Sequence, residues 1–271
     1  MSENAKQKKK MTKVAEIDPR ITPQSKRQAH IHYIIAFCGG FLGVFPIVNV
    51  IGLLGSAQTS NLIECVHSVI GQDWIALCQH AAGVALYVLA TFLVTYLSHH
   101  TKLNIKLLAL FVDVATGFVM WRMPDNLPEL FYLYPTFFAL SFQWCSFSGG
   151  YGYNCSTIFS TNNLRQCVSA FTETYFNGKR EFKLKAIFYG ATLVAFHLGV
   201  AAAFLAWYKI GNICFPLVVL PCGLAAFLVV SPVKNIGSSN SESETKIAEK
   251  SSAELKPENS VNLSQKSKSE K

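Results

Sequence analysis

Of 271 residues, 51% are hydrophobic and 15% are charged, against about 25% charged in an ordinary soluble domain, and mean hydropathy is positive at +0.28. What charge there is lies at the ends: residues 31–233 hold nine basic and seven acidic groups, too few to dress a water-soluble surface. A soluble globular domain is excluded, and lipid becomes the solvent for the middle of the chain.

The net charge of +8 does not point to nucleic acid. Much of it sits in residues 1–30, where Lys8, Lys9, Lys10 and Lys13 cluster without an aromatic platform or a nucleic-acid-binding motif. Such a tail orients a membrane protein, and contact with anionic lipid is its next reading. Residues 1–30 are therefore expected to be a basic cytoplasmic tail. The first apolar run lies too far behind polar sequence for a cleavable signal peptide, so it is expected to remain as a span.

A span needs about 20 mostly apolar residues. Six candidates follow in order: Ile31–Leu54, Ile75–Leu97, Leu103–Trp121, Leu130–Phe147, Ala186–Tyr208 and Ile213–Val230. Two further segments, Thr59–Ile70 and Thr161–Phe176, are helix-like but too short or too polar to cross. The predicted fold class is an all-α integral membrane protein with a transmembrane domain over 31–233. The Ser-, Glu- and Lys-rich residues 234–271 read as a disordered cytoplasmic tail.

Lys and Arg set the orientation. Lys102 and Lys106 mark one loop, and Arg165, Lys179, Arg180, Lys183 and Lys185 mark another. The alternate loops carry almost none. Six crossings with both termini in the cytoplasm satisfy that alternation, and the plasma membrane is the expected location.

The two short segments resemble each other. Thr59-Ser60-Asn61-Leu62-Ile63-Glu64-Cys65-Val66 matches Thr161-Asn162-Asn163-Leu164-Arg165-Gln166-Cys167-Val168 at five of eight positions. Glycines precede each stretch and an apolar span follows it. Asn61 with Glu64, and Asn163 with Gln166, have the spacing of an N-cap and its partner three residues on. The turn Gly71-Gln72-Asp73-Trp74 lacks basic residues, whereas its counterpart Asn177-Gly178-Lys179-Arg180 has them, so equivalent loops face opposite sides. Halves 31–121 and 130–230 then form three-span inverted repeats, each with a short broken helix, an architecture that recurs among secondary transporters.

These residues also carry a resemblance. Gly39-Gly40-Phe41-Leu42-Gly43 with Ala57-Gln58-Thr59-Ser60-Asn61, then Phe142-Gln143 with Thr157-Ile158-Phe159-Ser160-Thr161-Asn162-Asn163-Leu164, resemble the two half-patterns of the YoaK-type family of uncharacterised membrane proteins. The resemblance covers about residues 31–230 and implies a multi-span membrane protein without an established substrate. Ser60 and Asn162 stand where its Thr-Gly-Asn motif has Gly, and Gly43 stands where many members carry Asp.

The expected substrate-binding residues are Gln58, Thr59, Asn61, Glu64, Asp113, Gln143, Thr161 and Asn163. Asp113 lies mid-span, where an ionisable group is either a solute, cation or proton site or a buried structural hydrogen bond. Glu64 reads first as a helix cap, His197 as a packed helix residue, and Asn49 and Gln143 as polar links between helices. Two convergent helix starts would favour an anionic or carbonyl-bearing solute. Trp74, Trp121, Trp207 and Tyr208 fall at span ends, as interfacial aromatics do.

The eight cysteines form no C-x-x-C pair and read as packing residues. Cys65-x-His67 and Cys78-x-His80 cannot chelate one ion from a helix, because positions i and i+2 point about 200° apart. No metal, cofactor or nucleic acid is expected. The expected partners are membrane lipid and a small solute, and homo-oligomerisation stays open. The leading function is a small-solute secondary transporter or permease. A non-catalytic membrane interaction or assembly protein is the alternative. An intramembrane lipid-acting enzyme comes third, since neither H-E-x-x-H nor G-x-S-x-G occurs.

Overall fold

Thr22, Pro23 and Ser25 start the first helix. The Thr22 hydroxyl accepts the Ser25 amide at 3.0 Å, Ser25 Oγ accepts the Thr22 amide at 2.8 Å, and Pro23 supplies the fixed φ suited to a first helical position. This N-cap starts α1 (Pro23–Gly43) eight residues ahead of the expected span. The computed structural model describes residues 18–49, 54–124 and 126–232. Residues 1–17 of the expected basic tail, and the expected disordered tail from 234 onward, lie outside them.

After Val44 the chain continues as α2 (Phe45–Asn49), and Pro46, which has no N–H to donate, sits at the join. There follow α3 (Gln58–Ile70), α4 (Trp74–His100) and α5 (Ile105–Arg122), then the 3-10 helix Glu129–Leu133, which runs into α6 (Tyr134–Ser146). Asp73 caps α4 through the Ala76 amide at 2.9 Å, and Asn104 caps α5 through the Leu107 amide at 3.3 Å, which keeps both connections short. A small antiparallel hairpin, β1 (Gly149–Gly150) with β2 (Tyr153–Asn154), interrupts the helices. Its turn places Tyr151 and Gly152 at φ 54° and 77°, the two positive values of a type I′ turn. Then come α7 (Ser160–Tyr175), α8 (Lys183–Ile210), the 3-10 helix Gly211–Val218 and α9 (Val219–Val230).

Among the described residues the fold is all-α apart from that hairpin, and helices cover most of what is described of the six apolar segments. Three stretches among the described residues are long and apolar enough to cross a membrane: Pro23–Asn49, Trp74–His100 and Arg180–Val230. The last is 51 residues long and breaks at Gly211, where φ of 61° ends α8. At 18 residues α5 is shorter and carries Lys106, Asp113 and Arg122, and α6 has 13 residues.

Around a mostly apolar core, several helices also turn apolar faces outward, as those of a water-soluble bundle do not. On α3 the polar Asn61 and Ser68 face inward while Ile63 and Ile70 are 61% and 77% exposed. The outer faces of α4, α8 and α9 are likewise apolar, with Phe92, Leu205 and Phe227 exposed. Apolar side chains turned outward around buried polar ones fit a hydrocarbon solvent.

The central element is α1, buried along Ile31–Gly43 except at a few half-exposed positions. It packs on α8, α9 and α6. Around it α3 lies on α4, α7 on α8, α6 on α4 and on α5, and α5 on α9. At the crossing of α1 and α8, a Cβ on Gly40 would strike the Phe196 carbonyl, and one on Gly199 the Phe37 carbonyl. The two backbones therefore touch, as small residues allow in membrane helix pairs.

Candidate functional site

The loops that lead into α3 and α7 meet inside the molecule. Ser56, two residues before α3, donates its hydroxyl to the carbonyl of Ile158, two residues before α7, at 3.1 Å, and both residues are buried. Around this contact lie Gln58, Asn61, Gln143, Ser156, Thr157 and Asn163, all buried.

Gln143 projects from α6 and braces the junction. Its Nε2 donates to Thr157 Oγ1 at 2.9 Å and to the Ile35 carbonyl of α1 at 3.2 Å, while Oε1 has no partner among the described residues. Gln58, the first residue of α3, uses Oε1 to accept weakly from Asn61 at 3.4 Å, and its Nε2 has no partner among the described residues. A buried donor and a buried acceptor are thus open, an arrangement that costs stability unless water or solute satisfies it.

The expected caps are not caps. Helix α3 begins at Gln58, four residues earlier than a cap at Asn61 requires, and no side chain caps its Ala57 start. The Asn61 amide instead pairs with His80 of α4: Nδ2 donates to the His80 carbonyl at 3.0 Å, and Oδ1 lies 2.8 Å from His80 Nδ1. A buried polar partner on a neighbouring helix outcompetes the local cap. Asn163 likewise lies inside α7 and holds the loop ahead of it, donating to the Ser156 carbonyl at 2.7 Å and accepting the Ser156 amide at 3.3 Å. Ser156 in turn orders the loop ahead of α7, its hydroxyl accepting the Ile158 and Phe159 amides at 3.2 and 3.1 Å, and no side chain caps the helix itself.

Glu64 does not belong to this group. It is exposed on α3 and sits 3.2 Å from His67, one turn away. Thr59 and Thr161 are exposed too. Three of the eight expected residues therefore point away from the junction, because α3 and α7 turn those faces outward. Asn49 links elements as expected, accepting from Asn212 at 2.8 Å while Asn212 in turn accepts from Trp207. His197 is exposed on α8 and bonds its own helix at the Leu193 carbonyl.

Asp113 is a separate feature. It is 0% exposed on α5, and neither carboxylate oxygen has a hydrogen-bond partner among the described residues. Its polar neighbours are the thiols of Cys38 and Cys222, themselves 3.8 Å apart between α1 and α9. An ionisable group so placed is costly to keep for structure alone.

Residues 31–231 match a family described as a protein of unknown function, DUF1275. The chain belongs to the DUF1275 family. The DUF1275 match spans both short helices, the junction between them and Asp113, and it leaves out both charged tails. It agrees with the expectation of an uncharacterised family over this core, although the DUF1275 description does not name the YoaK-type group. No curated protein and no solved structure matches the chain. Within the DUF1275 core, Ser56, His80, Ser156 and Thr157 join the junction without having been among the expected site residues. Ser56 and Ser156 had a signal, each being a small polar residue just ahead of a helix start.

Proposed function

We propose that this DUF1275 protein is a six-span secondary transporter or permease of the plasma membrane, with both termini cytoplasmic, taking a small solute at the junction of α3 and α7. The buried Ser56–Ile158 contact carries this reading, because it draws both short-helix starts to one place. Neither start has a side-chain cap at its first residue, and the open amide of Gln58 and the open carbonyl of Gln143 lie close by. The positive ends of two helices favour an anionic or carbonyl-bearing solute. Asp113 serves as the coupling group in this scheme.

The inverted halves are part of the proposal. Exchanging them leaves the packing pattern in place: α1 on α8 answers to α6 on α4, α3 on α4 to α7 on α8, and α9 on α1 to α5 on α6. Ser56 and Ile158 hold equivalent places, two residues before α3 and α7, as residues beside a two-fold axis would.

Proteoliposomes are expected to take up one anionic or carbonyl-bearing solute saturably and under a proton or sodium gradient. Rates equal to those of empty vesicles across a panel of carboxylates, amino acids and inorganic anions would overturn the transport reading. Topology is tested separately, with single cysteines in a cysteine-free background. Positions 72 and 126 are expected to label from outside, and positions 102 and 179 only from inside. Labelling of 126 and 102 from the same face eliminates six crossings.

A further inference from the structure

A polar cavity lies apart from the junction, at the end of the molecule where α5 begins. It encloses about 110 Å³ and is lined by Gln28, His32, Lys106, Ser146, Ser148 and Gly149, together with apolar wall. His32 is 1% exposed, yet both ring nitrogens lack a partner among the described residues. Its ring is fixed by Phe188, with centroids 5.3 Å apart. Lys106, Gln28 and Ser148 are exposed at the rim. Ser146 serves as wall, because its hydroxyl already donates to the Phe142 carbonyl at 2.7 Å.

A wider cavity of about 590 Å³ shares Lys106 and Ser146 and adds Thr95, Ser98, His99 and Asn104. No Asp or Glu lines either space among the described residues. A fixed cation, an amide, a hydroxyl and a buried imidazole without partners, with no carboxylate to oppose them, select a negatively charged ligand. An imidazole buried with both nitrogens open also demands a partner of its own.

We infer that His32, Lys106, Gln28 and Ser148 form a binding site for a small oxyanion, reached through the wider cavity. The site stands whether or not the chain transports. Such an oxyanion is either free in solution or carried on a lipid headgroup, and the shared chemistry is a phosphate-like group.

The full chain in detergent is titrated by calorimetry with inorganic phosphate and, in a second arm, with short-chain phosphatidylglycerol. Saturable binding in the first arm assigns a soluble anion, and in the second alone a headgroup. Either supports the site. Lys106→Gln and His32→Phe are each expected to weaken binding about ten-fold or more, as loss of a charge-assisted or buried hydrogen bond does. Lys102→Gln, a nearby lysine outside the lining, is expected to leave it unchanged. Should His32→Phe fail to fold, the rim variant Lys106→Gln decides. Saturation in neither arm, or equal losses for Lys102→Gln and Lys106→Gln, overturns the inference.

Discussion

Asp113→Asn is expected to abolish gradient-driven uptake while leaving the fold at least as stable as the wild type. Asp113 is fully buried on α5, and both its oxygens lack partners among the described residues. A group satisfied within the fold contributes to stability, whereas an open one subtracts about 1–3 kcal/mol. Removing the carboxyl should therefore relieve the fold, and Asp113→Leu, which also removes the open polar atoms, should raise stability by about 1–3 kcal/mol. Under the proposed transport scheme uptake moves the other way, because Asn cannot take up and release a proton or hold a cation by charge. Uptake in proteoliposomes and thermal unfolding in detergent, run on the same three proteins, read both. Equal uptake by wild type and Asp113→Asn across pH rules out coupling through this residue. A marked loss of stability in both variants would mean that Asp113 is a structural group.

The second large effect is expected at the crossing of α1 and α8. Gly40→Ala and Gly199→Ala each place a methyl group into the facing backbone, against the Phe196 and Phe37 carbonyls respectively. A carbonyl on a helix cannot swing aside as a side chain can, so the helices must separate. Overpacking of this kind costs about 1–3 kcal/mol for one carbon, and separation also loosens the neighbouring α1 contacts with α6 and α9. Because both substitutions open the same crossing, their effects should not add. Gly223→Ala supplies a control of opposite sign. A Cβ at this helical position of α9 meets nothing within 4 Å, and Ala exceeds Gly in helix preference by about 0.5–1 kcal/mol. Unfolding in detergent micelles should rank Gly223→Ala at or above wild type and both crossing variants well below it. Crossing variants as stable as Gly223→Ala would show that α1 and α8 do not meet this closely.

The helices were largely legible because apolar run length is a strong signal. The short segments expected at Thr59–Ile70 and Thr161–Phe176 became helices at Gln58–Ile70 and Ser160–Tyr175. The roles of their polar residues were less legible. Asn61 and Asn163 have cap-like spacing, yet a cap depends on where the helix starts, and tertiary partners at His80 and Ser156 settled that instead. Facing was hidden for a related reason. A helix on a soluble core turns its apolar side inward, whereas α3 turns Asn61 and Ser68 inward and Ile63 outward, and the repeat that singled out Thr59 and Glu64 carries no information on which face they take. The hairpin was illegible because Tyr151 holds a positive φ that sequence rules reserve for Gly, Asn and Asp. His32 is an ionisable residue beside the expected start of a span, and only the cavity around it distinguishes it from a tail histidine.

The place of α1 at the centre has a consequence for biosynthesis. Of the described helices the ribosome makes this one earliest, while α8, whose Phe196 backbone seats against Gly40, follows much later in the sequence. At about 5–20 residues per second, α1 waits on the order of ten seconds before its main partner exists. During that interval the notch at Gly40 and the imidazole of His32 face lipid, the translocation machinery or a chaperone. The helices that emerge later must then close around this earlier one.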